Sequence, residues 1–351
     1  MYQTYLRFSD VSFTYPGSSQ QVVSSVSLNL DSGWTALAGA NGCGKTTFLR
    51  LATGLLKPDS GSIVSSGIAV YCPQRTDYPP EYMDEFLLDW SAESIRLRDT
   101  LGIGDDWGDR WDTLSFGERK RLQIAAALST RPAVLALDEP FNHLDSYARS
   151  LLTTSMREYP GCGLLVSHDR RAMDELCTSC VLFFQDGIEL YRTGYTAAMK
   201  ADHMHQQHLV KRKKMAREKY VQLKRDARKK MIRARTVQAS FSGKQISFRD
   251  ICKYNYDGPS QYTSIVQKAG QRSREATARA ERAREKMESI EYRKTYGSGI
   301  ELSGEGSTRN CLLELPPGEI RIGEKTISYP HLEISSKDRI ALTGRNGAGK
   351  T

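Results

Sequence analysis

The chain has 351 residues, 39% of them hydrophobic and 9% aromatic, which is an ordinary globular composition for about two domains. It has no run of 18 uncharged apolar residues and no secretion signal at its start, so we expect a soluble, cytoplasmic protein without a membrane partner. Seven cysteines, an odd number, favour a reducing compartment over a disulfide framework. Cys177 and Cys180 form a CxxC pair that we interpret as two buried apolar residues.

The net charge of +9 is unevenly distributed. Residues 203–296 hold 25 Lys and Arg against 9 Asp and Glu, whereas the remainder holds 25 basic and 32 acidic residues. An excess of positive charge over some ninety residues favours contact with a polyanion such as nucleic acid. The alternative is that these charges only solvate the surface of a helix.

The first 195 residues predict an α/β domain. Short apolar stretches in residues 1–70 read as strands, and KTTFLRLATGLL (45–56) reads as a helix. A helix over 114–128 with Ser115 as its N-cap, a buried strand over 133–138 and a helix over 146–158 follow. The strands GLLVS and VLFFQDG come next. This alternation is typical of a parallel sheet covered by helices.

From about Thr196 the sequence becomes charged and poor in glycine. Apolar residues recur at steps of three, four or seven from Leu209 to Ala234 and from Ile265 to Ile290, which predicts two helices that pair along a narrow seam. A helix of about forty residues would extend roughly 60 Å. Between them lies a tip with four aromatic residues, Phe241, Phe248, Tyr254 and Tyr256. These four side chains are typical either of a surface that stacks on unstacked RNA bases or of a small apolar core at the tip.

A glycine-rich loop follows one of the first strands. GANGCGKT (39–46) matches G-x-x-x-x-G-K-[ST] between a strand and a helix, which predicts binding of nucleotide phosphates. We expect the Lys45 ammonium to contact the β and γ phosphates and the Thr46 hydroxyl to bind Mg²⁺. Residues 35–46 and 340–351 agree at eight of twelve positions, so the loop is repeated. The predicted nucleotide-binding residues of the two loops are Gly39, Asn41, Gly42, Gly44, Lys45, Thr46, Thr47, Gly344, Asn346, Gly347, Gly349, Lys350 and Thr351.

An acidic pair ends the apolar strand AVLALDEP. Asp138 is placed to hold Mg²⁺, and Glu139 to polarise an attacking water. Without the upstream glycine loop such a pair would be read as a helix cap. With it, Glu139 is a candidate catalytic residue and ATP with Mg²⁺ the expected ligand.

The ordered set of LSFGE (114–118), DEP, NHLD (142–145) and VSHDR (166–170) resembles the ATP-binding cassette (ABC) family. The resemblance implies that Gln74 lies near Mg²⁺ and the γ-phosphate, and that His168 is the switch histidine. It implies that Tyr15 stacks on adenine, although a core aromatic is the alternative. It also assigns Ser115, Gly117 and Glu118 to the signature and Asp145 to the D-loop. Phe116 and Phe141 depart from the usual glycine and threonine, and Phe116 puts hydrolysis at that site in doubt.

The two glycine loops, separated by a basic helical linker, resemble the arrangement in the ABC-F group of twin-cassette ATPases. This resemblance implies ATP hydrolysis between paired cassettes and action on the ribosome (rRNA and tRNA), in translation or antibiotic resistance. Alternatives are a DNA-associated ABC ATPase, a transporter subunit, and an ATP- and RNA-binding module with little turnover. We assign the RNA contacts to Lys211, Arg212, Lys213, Lys214, Arg225, Lys244, Arg249 and Lys253.

We expect three parts. These are a first ABC domain (1–195), a basic helical hairpin linker (196–300), and the start of a second ABC domain (301–351) that ends at its glycine loop. Because paired cassettes share each ATP, the first loop needs a second signature that this sequence does not contain. We therefore expect a chain truncated in its second cassette, which pairs with that cassette in the full protein or forms a homodimer.

Overall fold

A computed structural model describes residues 4–184, 187–242, 258–293, 311–322, 325–336 and 338–341. The chain divides into two compact units, residues 1–199 with 301–351 and residues 200–300. Among the described residues, no helix has the length and apolar character that crossing a membrane requires.

The described elements are numbered in chain order. The strands are β1 (Tyr5–Thr14), β2 (Gln21–Asp31), β3 (Gly33–Gly39), β4 (Ser60–Ser65), β5 (Ala69–Cys72), β6 (Val134–Asp138), β7 (Cys162–Val166), β8 (Cys177–Phe184), β9 (Gly187–Tyr191), β10 (Cys311–Leu315), β11 (Gly318–Ile322), β12 (Lys325–Tyr329) and β13 (Leu332–Ser335). The helices are α1 (Lys45–Ala52), α2 (Met83–Leu88), α3 (Ala92–Leu101), α4 (Phe116–Ser129), α5 (Ser146–Arg157), α6 (Arg170–Leu176), α7 (Tyr195–Ser242) and α8 (Gly258–Glu288).

A six-stranded sheet with the order β5-β6-β7-β3-β8-β9 forms the centre of the first unit. Its first five strands are parallel and β9 pairs antiparallel with β8. Every residue of β6 and β7 is buried, which explains their continuous apolar sequence. The predicted α/β class is confirmed.

A second sheet, antiparallel with the order β2-β1-β4, packs over one face of the first. The sequence did not predict β4, because SGSIVS offers only two large apolar side chains. Pairing with β1 supplies the order that this short segment lacks. Gly61, with φ +82°, lies where a Cβ would come within 2.3 Å of the Asp10 carbonyl oxygen, so the close approach requires glycine.

The central sheet separates two apolar cores. One lies between the two sheets and includes Phe8, Phe48 and Phe183. The other lies under helices α3 to α6 and includes Trp34 and Leu152. The inner strands β6 and β7 therefore bury both of their faces.

Helix α1 is shorter than its apolar pattern predicts. It ends at Ala52 because Gly54, two residues further on, adopts the left-handed φ of +76°. Residues 53–56 therefore leave the helix. Helices α2 and α3, which the sequence analysis did not predict, occupy the segment between Gln74 and Leu114.

The second unit contains most of α7, a helix of 48 residues, which corresponds to about 72 Å, and all of α8. Leu223, Ala227, Ala276 and Ala280 form its apolar cluster. Met231 and Ile265 are 38% and 48% exposed. The apolar contact between the two helices therefore does not extend to these two positions of the predicted seam. At the base, the Arg293 guanidinium pairs with Asp202 at 3.0 Å.

Residues 311–341 form two small antiparallel pairs, β10 with β13 and β11 with β12. The aromatic side chains of the tip and the second glycine loop lie outside the described residues, so the predictions made for them remain predictions.

Candidate nucleotide-binding site

The candidate residues share one edge of the central sheet. The glycine loop follows β3, Gln74 follows β5, Asp138 ends β6 and His168 follows β7. These four strands are parallel, so their carboxyl ends meet at the same edge. Crevices at that edge are where open α/β sheets bind ligands.

The first glycine loop connects β3 to α1. Gly42 and Gly44 have φ of +78° and +101°, which L side chains rarely adopt. A Cβ on Gly44 would come within 2.8 Å of Val22. No side chain caps the N-terminus of α1, so its first N–H groups are oriented as donors for an anion.

Lys45 folds its side chain over this loop. Its ammonium donates to the carbonyl oxygens of Gly39 and Ala40 at 3.0 and 2.9 Å, and lies 3.9 Å from Sγ of Cys43. The cation is thus held directly above the loop backbone. This position allows it to exchange a carbonyl for a phosphate oxygen.

The Thr46 hydroxyl and the Asp138 carboxylate meet. Thr46 Oγ1 donates to Oδ2 of Asp138 at 2.8 Å, and Asp138 is 6% exposed. A hydroxyl and a carboxylate are hard oxygen ligands, which suit Mg²⁺ bound by one or two protein groups together with substrate phosphates. The described residues contain no cluster of three His, Cys, Asp or Glu side chains that could hold a metal ion. The Thr46 hydroxyl and the Asp138 carboxylate fit a Mg²⁺ shared with a nucleotide.

Tyr71 is a site residue that the sequence analysis missed. Its hydroxyl donates to the same Oδ2 of Asp138 at 3.2 Å. Burial, followed by the nearby Asp138 carboxylate, raises the pKa of Tyr71 to about 12, so the hydroxyl keeps its proton and remains a donor. The only sequence signal was its place two residues before the proline of YCPQ.

Glu139 is buried and lies beside His168. Its Oε2 accepts the backbone N–H of His168 at 3.1 Å, and its Oε1 lies 3.4 Å from Nε2 of the same residue. Burial raises the pKa of the Glu139 carboxyl, which makes it a stronger base. Its φ of +48° is unusual for a residue other than glycine, and such backbone strain concentrates at functional sites.

Comparison with known proteins decides the family. A family model described as ABC transporter matches residues 23–142. A putative ABC transporter ATP-binding protein of Nitratidesulfovibrio vulgaris is 33% identical over 211 residues, which cover 52% of this chain and 77% of that protein. This chain belongs to the ATP-binding cassette family.

Two further relatives bear on the group within the ABC family. The tylosin resistance ATP-binding protein TlrC of Streptomyces fradiae is 25% identical over 389 aligned positions, which cover 94% of this chain and 68% of TlrC. The energy-dependent translational throttle protein EttA of Escherichia coli K12 is 32% identical over 178 residues, or 46% of this chain and 32% of EttA. The predicted resemblance to the ABC-F group is confirmed.

Among solved structures, an ATP-binding subunit of an ABC transporter aligns with a TM-score of 0.47 and 25% identity, covering 54% of this chain and 90% of that one.

The predicted signature residues begin α4 with a reciprocal cap. Ser115 Oγ accepts the N–H of Glu118 at 3.3 Å, and Glu118 accepts the N–H of Ser115 at 2.8 Å. The predicted N-cap is therefore present. A Cβ on Gly117 would come within 3.3 Å of Leu144. Asp145 caps α5 by accepting the N–H of Ala148 at 2.8 Å.

The two phenylalanines that depart from the ABC pattern have different surroundings. Phe141 is 3% exposed and belongs to the apolar core. Phe116 is half-buried, and its ring meets the His143 ring edge-to-face at 5.2 Å between centroids. The Lys120 ammonium lies 5.8 Å from the centroid of the Phe116 ring. The ring therefore fills space next to the signature.

The described geometry holds Tyr15 through two contacts. Its hydroxyl is 3.1 Å from Oγ1 of Thr47, and its ring meets that of Phe13 edge-to-face at 5.0 Å. It is half-buried beside the core between the sheets. Stacking on adenine stays a prediction, with the core aromatic as its alternative.

Gln74 is exposed. The Lys120 ammonium donates a hydrogen bond to the backbone carbonyl oxygen of Gln74. Burial lowers the pKa of Lys120 to about 8. The sequence gives no sign that Lys120 is buried, because GERKR is typical of a solvated, charged turn of helix.

The predicted RNA contacts belong to the other unit. Lys211, Arg212, Lys214 and Arg225 are exposed on α7, and the Lys213 ammonium lies 5.3 Å from the ring centroid of Tyr292. The remaining predicted site residues lie outside the described residues. They are Lys244, Arg249, Lys253, Gly344, Asn346, Gly347, Gly349, Lys350 and Thr351.

Proposed function

We propose that this chain binds ATP with Mg²⁺ at its first glycine loop and acts as an ABC-F ATPase on the ribosome. The observation that carries the proposal is the hydrogen bond between Thr46 and Asp138 beside the Glu139 and His168 pair. Together they unite the glycine loop and the acidic strand end in one site at the edge of the sheet.

The chain's own groups account for binding. Backbone N–H groups at the start of α1 bind phosphate oxygens, and Lys45 moves from the loop carbonyls to the β and γ phosphates. Thr46, Asp138 and Gln74 would hold Mg²⁺. A bound Mg²⁺ would neutralise charge on the phosphates.

Hydrolysis then requires a base for water. The Glu139 carboxylate accepts a proton from a water molecule whose oxygen forms a bond to the γ-phosphorus, while the bond from that phosphorus to the β-phosphate oxygen breaks. The raised pKa of Glu139 favours this proton transfer. The N–H of His168 fixes the orientation of the carboxylate.

The predicted signature supports an ATP site that is shared between two cassettes. Ser115, Gly117 and Glu118 begin α4, and Asp145 begins α5. In a pair of cassettes this surface would meet the glycine loop of the other cassette, whether residues 344–351 or a second copy of the chain.

The hairpin supports contact with RNA. Lys211, Arg212 and Lys214 expose three cations within one turn of α7, and phosphate contacts of this kind dominate the affinity of proteins for nucleic acid. The names of TlrC and EttA suggest two roles for this chain, antibiotic resistance and control of translation.

Sedimentation with purified ribosomes tests the proposal. The Glu139→Gln variant, which is expected to keep ATP bound, should sediment with ribosomes in the presence of Mg-ATP. The double variant Glu139→Gln with Lys45→Ala should stay in the supernatant. Free protein in the supernatant under all conditions would reject a role on the ribosome.

Phe116 favours a second candidate, an ATP- and RNA-binding module with little turnover. Its ring packs against His143 beside the predicted signature, and we infer that a partner's nucleotide would approach from this side. Replacement by glycine should then raise turnover, measured as phosphate release against protein concentration. A rate that rises steeply with concentration would instead indicate an active homodimer.

A further inference from the structure

Lys120 is a buried cation with a complete set of hydrogen bonds. It is 1% exposed, and its ammonium donates to the carbonyl oxygens of Pro73 and Gln74 at 2.8 and 2.9 Å and to Oε1 of Gln123 at 2.9 Å. An ammonium has three N–H donors, and all three are used. Two of them hold the loop that carries Gln74.

Helix α4 holds four consecutive carbonyls of this loop. Lys120 binds the first two, the Gln123 amide lies 3.5 Å from the Arg75 carbonyl oxygen, and the Arg119 guanidinium lies 3.5 Å from that of Thr76. The three side chains lie between residues 119 and 123 of α4. Backbone carbonyls held in series fix the path of residues 73–76.

Core packing alone does not account for a charge in this position. Burying an ammonium carries a desolvation cost, and an apolar side chain of similar size is often neutral or stabilising in such a place. Removing the ammonium would leave two loop carbonyls without their donor. The Phe116 ring lies on the same ammonium, so the residue that departs from the ABC signature contacts the cation that holds the Gln74 loop.

We propose that Lys120 is a positioning residue, which ties the backbone of the Gln74 loop to helix α4 so that the Gln74 side chain and the signature move as one body. The inference rests on the proposed ATPase function, because Gln74 is assigned there to the Mg²⁺ and γ-phosphate site. It adds a mechanical link between two parts of that site.

Limited trypsin digestion of the full chain tests the link without any catalysis. Arg75 is exposed within the loop, and trypsin cleaves after arginine. Lys120→Gln and Lys120→Met should increase cleavage after Arg75 by about tenfold or more, because local opening governs proteolysis. Lys57→Met, at an exposed lysine, is the matched control and should leave this rate unchanged.

Cleavage after Arg96 on α3 reports on unfolding beyond the loop. If Lys120→Met accelerates both sites together, the milder Lys120→Gln variant carries the test. Unchanged cleavage after Arg75 in a folded Lys120 variant would overturn the proposal.

A double-mutant cycle on turnover tests the functional half. Lys120→Gln should lower kcat about tenfold and change ATP affinity less than about threefold, whereas in a Gln74→Ala background it should change kcat less than about twofold. The same fold reduction in both backgrounds would contradict a role through Gln74. A wild-type chain without turnover would count against the proposed ATPase, and the trypsin result would then decide the Lys120 link by itself.

Discussion

The hydroxyl of Thr46 donates a hydrogen bond to the carboxylate of Asp138 at 2.8 Å, although the two residues are 92 positions apart in the chain. The contact connects the first turn of α1 with the end of β6. It places a hydroxyl and a carboxylate where Mg²⁺ would be shared with a nucleotide.

Replacing Asp138 by Asn should weaken the binding of Mg-ATP. A neutral amide keeps the size of the side chain but removes a charged oxygen ligand, so we expect a loss of about ten- to a hundredfold in affinity with Mg²⁺ present and little change in its absence. Titration of a fluorescent ATP analogue with and without Mg²⁺ measures both. Asp105→Asn, at an exposed position, should bind like the wild type. An equal loss with and without Mg²⁺ would contradict a metal role for Asp138.

Phe116 should contribute to stability through its ring. Loss of its edge contact with His143 and of its position beneath the Lys120 ammonium should lower the free energy of unfolding by about 1–2 kcal/mol in Phe116→Ala. Phe116→Tyr keeps the ring and should remain close to the wild type. Urea denaturation gives both values. Equal stability of the Ala and Tyr variants would show that the ring contacts contribute little.

The buried thiols should make the chain sensitive to alkaline pH. Burial raises the pKa of Cys72, Cys162 and Cys180 to about 12, above the ordinary value near 9. In this case the unfolded state loses its thiol protons first, so each thiol stabilises fully below about pH 9 and this contribution is lost as the pH rises towards 12.

We expect a loss of about 1.4 kcal/mol per thiol for each pH unit above 9. The free energy of unfolding, measured in urea between pH 7 and 10.5, should fall less steeply for Cys162→Ala than for the wild type. Identical slopes would mean that Cys162 does not titrate on unfolding.

The three exposed cations at the start of the hairpin should set the salt dependence of RNA binding. Changing Lys211, Arg212 and Lys214 to Gln should weaken binding to a structured RNA and reduce the slope of log affinity against log salt by about 2–3. Filter binding across a salt series measures the slope, and circular dichroism checks that the helices persist. Lys57→Gln is the matched control. An unchanged slope would move the RNA contact away from this turn.

The sequence predicted those parts of the site that depend on local order. The glycine loop, the apolar strand ending at Asp138 and the N-cap at Ser115 each follow from a short pattern with a physical reason. Strand β4 and helices α2 and α3 were missed, because their sequences carry weak periodicity and their order comes from packing against β1 and α4.

Long-range polar contacts were beyond the reach of sequence reasoning. Tyr71 meets Asp138 across 67 positions and Lys120 meets Pro73 across 47. A lysine between two arginines gives no sign that it is buried, because its environment depends on where the loop after β5 passes the helix. The sequence of the hairpin showed its positive charge, whereas the buried cluster between its helices contains only part of the predicted seam, namely Leu223, Ala227, Ala276 and Ala280.

The role of Glu139 as the base for ATP hydrolysis is tested by comparing nucleotide binding with the chemical step. ATP binding and single-turnover phosphate release are followed in the same preparations of the wild type and Glu139→Gln. The variant should bind Mg-ATP with an affinity within about threefold of the wild type, while its phosphate release should fall by about a hundredfold or more. Phosphate release at the wild-type rate in Glu139→Gln would contradict a role for Glu139 as the base.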